Sequence, residues 1–196
     1  DFAELLTRAR NRNPDLEELT ERFLRSLPPS LDERERCVET ASYLLDLAGE
    51  KGPLIVTGFL PPYYPPRLNS GKTGGEQAVL RAAARLREDG KAFGMDITVG
   101  DVFHGIMDLS YFGFQGAPGD LDALRDNMPL WGKEYRFPLD DLKKIDIPVA
   151  NFGPVGKDDH KNGERIHLPY FLDIFPGLFR NFARYLAEEA GKAAAD

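Results

Sequence analysis

The hexapeptide Pro61-Pro62-Tyr63-Tyr64-Pro65-Pro66 constrains this chain more than any other stretch. Each proline fixes φ and removes an amide donor, so the segment is stiff and extended and has no place inside a sheet. It separates a helical N-terminal portion from the rest of the chain. Its two tyrosines suit either the wall of a ligand groove or a rigid linker packed on the surface.

Before it, Phe2, Leu5, Leu6 and Ala9 fall on one helical face. Asn13-Pro14-Asp15 interrupts that pattern, and Asp15 is a candidate cap for a second helix running to about Leu27. Pro28-Pro29 stops it. Ser30-Leu31-Asp32-Glu33 has the spacing of a capping box for a third helix, which Gly49 ends. Cys37 lies in the apolar stripe of that helix and reads as a small core residue, since nothing nearby would lower its pKa. Pro53–Leu60 is rich in β-branched residues and predicts a strand.

After the prolines, Gly71-Lys72-Thr73 has the ending of a phosphate loop, but Arg67 stands where the leading glycine is needed. Glu76–Asp89 predicts a helix and Met95–Val99 a strand. Asp120–Asn127 predicts a helical turn, and Pro138–Leu142 starts a short helix with Leu139, Leu142 and Ile145 inward. Ile145–Ala150 predicts a buried strand, and Leu172–Glu189 a terminal helix with Pro176 in its first turn. Helices alternating with strands imply parallel pairing through helical crossovers. The expected fold is therefore α/β, a partly parallel sheet with flanking helices. The ends of its strands would share one edge, where such sheets hold their sites.

The composition suits a soluble globular protein, with 42% hydrophobic and 29% charged residues in 196. A net charge of −7 argues against nucleic acid as a partner. No run approaches the roughly eighteen apolar residues of a membrane span. The lone cysteine cannot form an internal disulfide, and a cytoplasmic location is the simpler expectation. The chain starts at Asp1 without a methionine and enters a helical pattern at once, which reads as a fragment boundary.

Chemistry concentrates in two stretches. Asn151–Arg165, NFGPVGKDDHKNGER, follows the last expected strand and gathers Asp158, Asp159, His160 and Glu164. Gly100–Asp108 follows the strand at Met95–Val99 and carries His104 and Asp108. Each of these two histidines has a carboxylate four residues on, and imidazole and carboxylate are ordinary zinc ligands. That spacing is weakly specific. A nucleophilic serine has less support, because no Gly-x-Ser-x-Gly elbow is present. Acid–base work by Glu164 or Asp159 without metal stays open. His167, beside Pro169, reads as structural or exposed.

Several motifs make a resemblance specific. Gly153-Pro154, His160 and Gly163-Glu164 are similar to the last ligand loop of the co-catalytic zinc hydrolases that include aminoacylase, glutamate carboxypeptidase and succinyl-diaminopimelate desuccinylase. Gly105–Ser110 resembles an earlier loop of that family; it keeps the aspartate, Asp108, and lacks the arginine. GFLPPYYPP at Gly58–Pro66, DLSYFGFQ at Asp108–Gln115, NMPLWGKEY at Asn127–Tyr135 and PVANFGPVGKDDHKNGER at Pro148–Arg165 resemble RocB-type arginine-utilisation proteins.

The resemblance implies a zinc-dependent amide or peptide hydrolase acting on an amino-acid derivative, with this chain as its C-terminal part. Residues 1–70 would be part of a small α+β lid and dimerisation domain, and residues 71–196 the end of the catalytic domain. His160 would be a zinc ligand. Asp108 would orient its loop or touch substrate, Glu164 would hold the His160 loop, and His104 would polarise the carbonyl. The family's other ligands, including a His-x-Asp pair, and its Glu-Glu base belong to an earlier half, and no His-x-Asp occurs in this chain. Alone, the chain would be inactive and bind at most one zinc weakly. The implied partners are a small amide or peptide substrate and a second copy through the lid part. The alternative is a non-catalytic binding or oligomerisation module that keeps the fold.

Overall fold

The computed structural model of the chain describes residues 1–100 and 106–193. Its helices are α1 (Phe2–Arg12), α2 (Leu16–Ser26), α3 (Glu33–Ala48), α4 (Gly74–Ala92), α5 (Asp122–Asp126), α6 (Leu139–Ile145) and α7 (Phe175–Ala193). The sheet among the described residues is one hairpin, β1 (Gly156–Lys157) antiparallel to β2 (Arg165–Ile166). Residues group into two units, 1–63 with 116–139 and 64–115 with 140–196.

In the first unit, α1 begins where the Asp1 carboxylate accepts from the Glu4 amide. The capping box of α3 lies two residues later than the spacing predicts. Asp32 accepts from the amides of Arg34 and Glu35, and the Glu35 carboxylate accepts from the Asp32 amide. The helix stops at Gly49, which is left-handed at φ 66°, a conformation glycine adopts without a Cβ clash. Helices α1 and α3 pack together around Phe2, Leu5, Ala9, Leu16, Leu44 and Ala48. Cys37 is fully buried in α3, as its place in the apolar stripe predicts, and burial pushes its thiol up to about 11.

In the second unit, α4 packs along α7. Its buried Ala78, Val79, Ala82 and Leu86 recur at helical spacing. Two glycines of α4 admit close neighbours. A Cβ on Gly75 would meet the Pro148 ring at 2.9 Å, and one on Gly90 would meet the Ile97 side chain at 2.7 Å. The segments around Ile97 and Pro148 thus lie against opposite ends of α4. Leu86, Tyr170 and Leu178 centre the core, with Met95, Ile97, Phe152 and Phe182 against them.

The expected α/β fold with a partly parallel sheet is corrected by this structure. Pro53–Leu60 and Met95–Val99 lie outside any strand. Of the stretch Ile145–Ala150, Ile145 ends α6 and the remaining residues also belong to no strand. Around Pro53–Leu60 the backbone makes single bonds rather than a ladder: Phe2 N–H to the Thr57 carbonyl and Phe59 N–H to the Asn127 carbonyl. Ile55 is 89% exposed. A β-branched run supplies propensity, but a strand exists only where a second backbone repeats the pairing.

At Val149 a side chain takes the place of that second backbone, and at Ile147 one meets only the carbonyl, since the Ile147 amide donates to the Phe112 carbonyl at 2.7 Å. Arg67 Nε donates to the Ile147 carbonyl at 3.2 Å, and the Asn69 amide both donates to the Val149 carbonyl and accepts from the Val149 amide. Residues 67 and 69 match residues 147 and 149 at the two-residue period of extended chains. Gln115 serves Leu68 in the same way, accepting from its amide at 3.1 Å and donating to its carbonyl at 3.0 Å. The backbone groups of an expected strand are partly satisfied without a sheet.

Arg67 is also the hub of a buried charge cluster. It lies 3.5 Å from Glu76 and 3.2 Å from Asp146, and the side chains of Arg67 and Glu76 are almost wholly buried. Glu76 further accepts from the Ser70 hydroxyl, the Lys72 amide and Gln115. Burial pushes its carboxyl upward, but these hydrogen bonds and Arg67 outweigh burial and hold it below its ordinary value.

A carboxyl whose folded pKa is lowered stabilises the fold above its unfolded value, and that stability is lost as pH falls through the folded value. Unfolding free energy measured in urea will therefore fall as pH drops below about 4.5, and Glu76→Gln will flatten that dependence. Arg67→Met, which leaves Glu76 buried and unpaired, will cost roughly 3 kcal/mol at neutral pH. Cys37 will resist thiol reagents at pH 8 in the native chain and react at full rate only in denaturant; rapid native labelling would contradict its burial.

Candidate functional site

The stretch Asn151–Arg165 folds as the β1–β2 hairpin and its approach. Gly156 pairs with Ile166 and Lys157 with Arg165. Between the strands the chain makes two successive turns, Lys161 N–H to the Asp158 carbonyl and Glu164 N–H to the Lys161 carbonyl, both at 3.0 Å. Asp158 and His160 take left-handed backbone, at φ 58° and 61°. Aspartate and histidine tolerate that region better than most side chains. The Arg165 guanidinium closes the loop by bonding the Asp158 carboxylate and the Gly163 carbonyl.

His167 anchors the base of the hairpin. Its amide donates to the Val155 carbonyl at 2.9 Å, and its Nδ1 accepts from the Tyr170 amide at 3.2 Å. That ties the hairpin to the π-helical turn Tyr170–Ile174, which leads into α7. His167, expected to be structural or exposed, is both, since its ring accepts this bond while the residue stays exposed.

His160 and Glu164 are exposed on this loop, and Asp108 is exposed at the start of a 3-10 turn, Asp108–Phe112. Among the described residues, the side chains of all three make no hydrogen bond or ion pair. His104 lies outside the described residues. No group of three His, Cys, Asp or Glu side chains converges among the described residues. The hairpin is held by Asp158 and Arg165, with the Glu164 side chain free of it.

The ends of two expected strands and the residues just after them line one cavity, and none of residues 158–164 is among its lining. The cavity has a volume of about 280 Å³. Leu86 and Phe182 line it from the helices, Ile97–Gly100 from one segment and Val149–Phe152 from the other. Asn151, the first residue of the hairpin's approach, donates to the Met107 sulfur at 3.4 Å, immediately before Asp108. The lining is mostly aliphatic and aromatic, so the cavity suits an apolar group, with Asn151 as a polar contact at its wall.

Sequence reasoning missed Arg67, Asn69 and Glu76, which fix these segments. One signal was available: Thr73-Gly74-Gly75-Glu76 has capping-box spacing, and Thr73 does cap α4 by accepting from the Glu76 amide at 3.1 Å. Nothing in the pattern shows that the Glu76 carboxylate turns to Lys72, Ser70 and Arg67.

No protein-family model matches the chain, and no solved structure matches it significantly. Among curated proteins, the uncharacterized protein YqjN of Bacillus subtilis (strain 168) is 33% identical over 181 residues, covering 90% of this chain and 32% of its own length. Protein RocB of the same strain is 27% identical over 186 residues, covering 93% of this chain and 32% of its own length. The chain thus spans about a third of the length of the curated relatives it matches. The chain is thus similar to a segment of YqjN and of RocB through nine-tenths of its own length.

Proposed function

We propose that this chain forms part of a zinc-dependent amide or peptide hydrolase that acts on an amino-acid derivative in arginine utilisation. The relation to RocB supports the family context. The observation that carries the site is the hairpin: Asp158 and Arg165 brace a loop on which the His160 imidazole is exposed and unengaged among the described residues. An imidazole held out on a braced loop is available as a ligand or a proton carrier.

The described residues do not by themselves fit a zinc ion. They offer one free imidazole with no converging second and third ligand, whereas a catalytic zinc takes three protein side chains. The part assigned to this chain is therefore limited to presenting His160, with Asp158 and Arg165 fixing the loop, and Asp108 facing solvent at the start of its turn. The cavity beside Asn151 would take an apolar portion of the substrate.

A longer RocB-like protein containing this segment will hydrolyse acylated or amide-linked arginine derivatives. His160→Ala in that protein will lower kcat by at least about a hundredfold without moving the thermal midpoint. Full turnover in His160→Ala, or turnover that survives exhaustive chelation, would sink the zinc assignment.

A second reading, an oligomerisation module, is favoured by one feature. Phe171 stacks on Phe175 and Phe179 tilts against it, at one-turn spacing with centroids 6.2 Å and 5.8 Å apart, and Phe171, Phe179 and the neighbouring Leu172 are exposed. A stripe of this kind can bury itself against its own copy. On that reading, light scattering will give a dimer mass for the wild type and a monomer mass for Phe179→Glu; a monomer in both cases excludes it.

A further inference from the structure

A groove of about 530 Å³ in the first unit is lined by none of the hairpin's residues and plays no part in the function proposed above. Its volume falls within the range of small-molecule pockets. Leu16, Leu44 and Met128 form an apolar floor, and Trp131, the only tryptophan, stands in the wall. The loop bearing Trp131 is closely tied: Trp131 N–H reaches the Met128 carbonyl, Lys133 and Tyr135 N–H share the Leu130 carbonyl, and Gly132 N–H reaches the Tyr135 carbonyl. Gly132 is left-handed at φ 75°, and Leu130 is fully buried beneath the turn. The wall is therefore fixed in place before anything binds.

The rim carries an uneven set of charges. Lys133 and Arg10 bind the two oxygens of one carboxylate, Glu17, at 3.0 Å and 3.1 Å. Arg125 lies on the same rim with Asp126, and it also pairs with Asp122. Among the groove's own lining residues, three cations thus stand with two carboxylates, in a chain whose net charge is −7. Lys133, followed by Arg10, holds the Glu17 carboxyl below its ordinary value, so the shared anion stays charged at neutral pH. Two cations sharing one carboxylate can each accept a further anionic oxygen, while the floor accepts a hydrocarbon body.

We propose that this groove is a binding site for a small carboxylate with an apolar body, its carboxylate recognised by Lys133 and Arg10 and its body lying on the floor beside Trp131. The probe is octanoate, read by Trp131 fluorescence on the whole chain, with octylamine as the opposite-charge control. Octanoate will give a saturable blue shift, and octylamine will not. Lys133→Met will weaken octanoate by about tenfold. Glu17→Gln, which releases both cations, will tighten it. A shift that never saturates, or equal midpoints for octanoate and octylamine, would overturn the proposal; both are measured on the wild type and so do not depend on how the variants fold.

Discussion

The buried contact between Arg67 and Glu76 is the interaction on which the second unit depends. Each side chain has almost no exposure, so each charge must be met inside the protein. Arg67 meets its requirement with Glu76, Asp146 and the carbonyls of Leu68 and Ile147. Glu76 meets its own with Ser70, Lys72, Gln115 and Arg67. No buried side-chain nitrogen or oxygen among the described residues lacks a partner. The cluster therefore joins four pieces of chain: the residues after the prolines, the start of α4, Gln115, and the segment around Ile147.

That connection sets the approach to the hairpin. Ile147 and Val149 are held by Arg67 and Asn69, so Ala150 and Asn151 leave from a fixed point and line the cavity beside Phe152. From there the chain enters β1. At the other side, His167 returns it to the turn before α7. Polar chemistry and packing thus alternate along one stretch: a charge cluster fixes its start, a cavity follows, a braced loop exposes His160, and an aromatic core receives the end. The similarity to RocB runs through nine-tenths of the chain, while the chemistry of the loop rests on the availability of one imidazole.

The helical part was largely legible. The apolar faces of α1, α2, α3 and α4 recur at helical spacing, and local rules place Gly49 and Asp15 at helix ends, although the Asp15 side chain makes no capping bond to α2. The capping box of α3 lies two residues beyond its expected place because Ser30 and Asp32 both suit the role, and only the hydrogen bonds distinguish them. The extended segments were not legible in the same way. Pro53–Leu60 and Met95–Val99 have strand composition, but composition does not state whether another backbone lies alongside. Gln115, Asn69 and Arg67 satisfy extended backbone through side chains, an arrangement without a periodic signature.

The sequence by itself determined the helices, the burial of Cys37, the turn chemistry of the stretch between Asn151 and Arg165, and the placing of its charged residues there. These depend on neighbours a few residues apart, whose geometry follows from spacing. The tertiary structure decided that the extended segments stay outside a sheet, that Asp158 and Arg165 brace the loop, and that His160 stands exposed without a bonded partner among the described residues. Those outcomes depend on residues distant in sequence, such as Arg67 and Ile147, meeting in space, and local spacing carries no record of which distant partner a polar group will find.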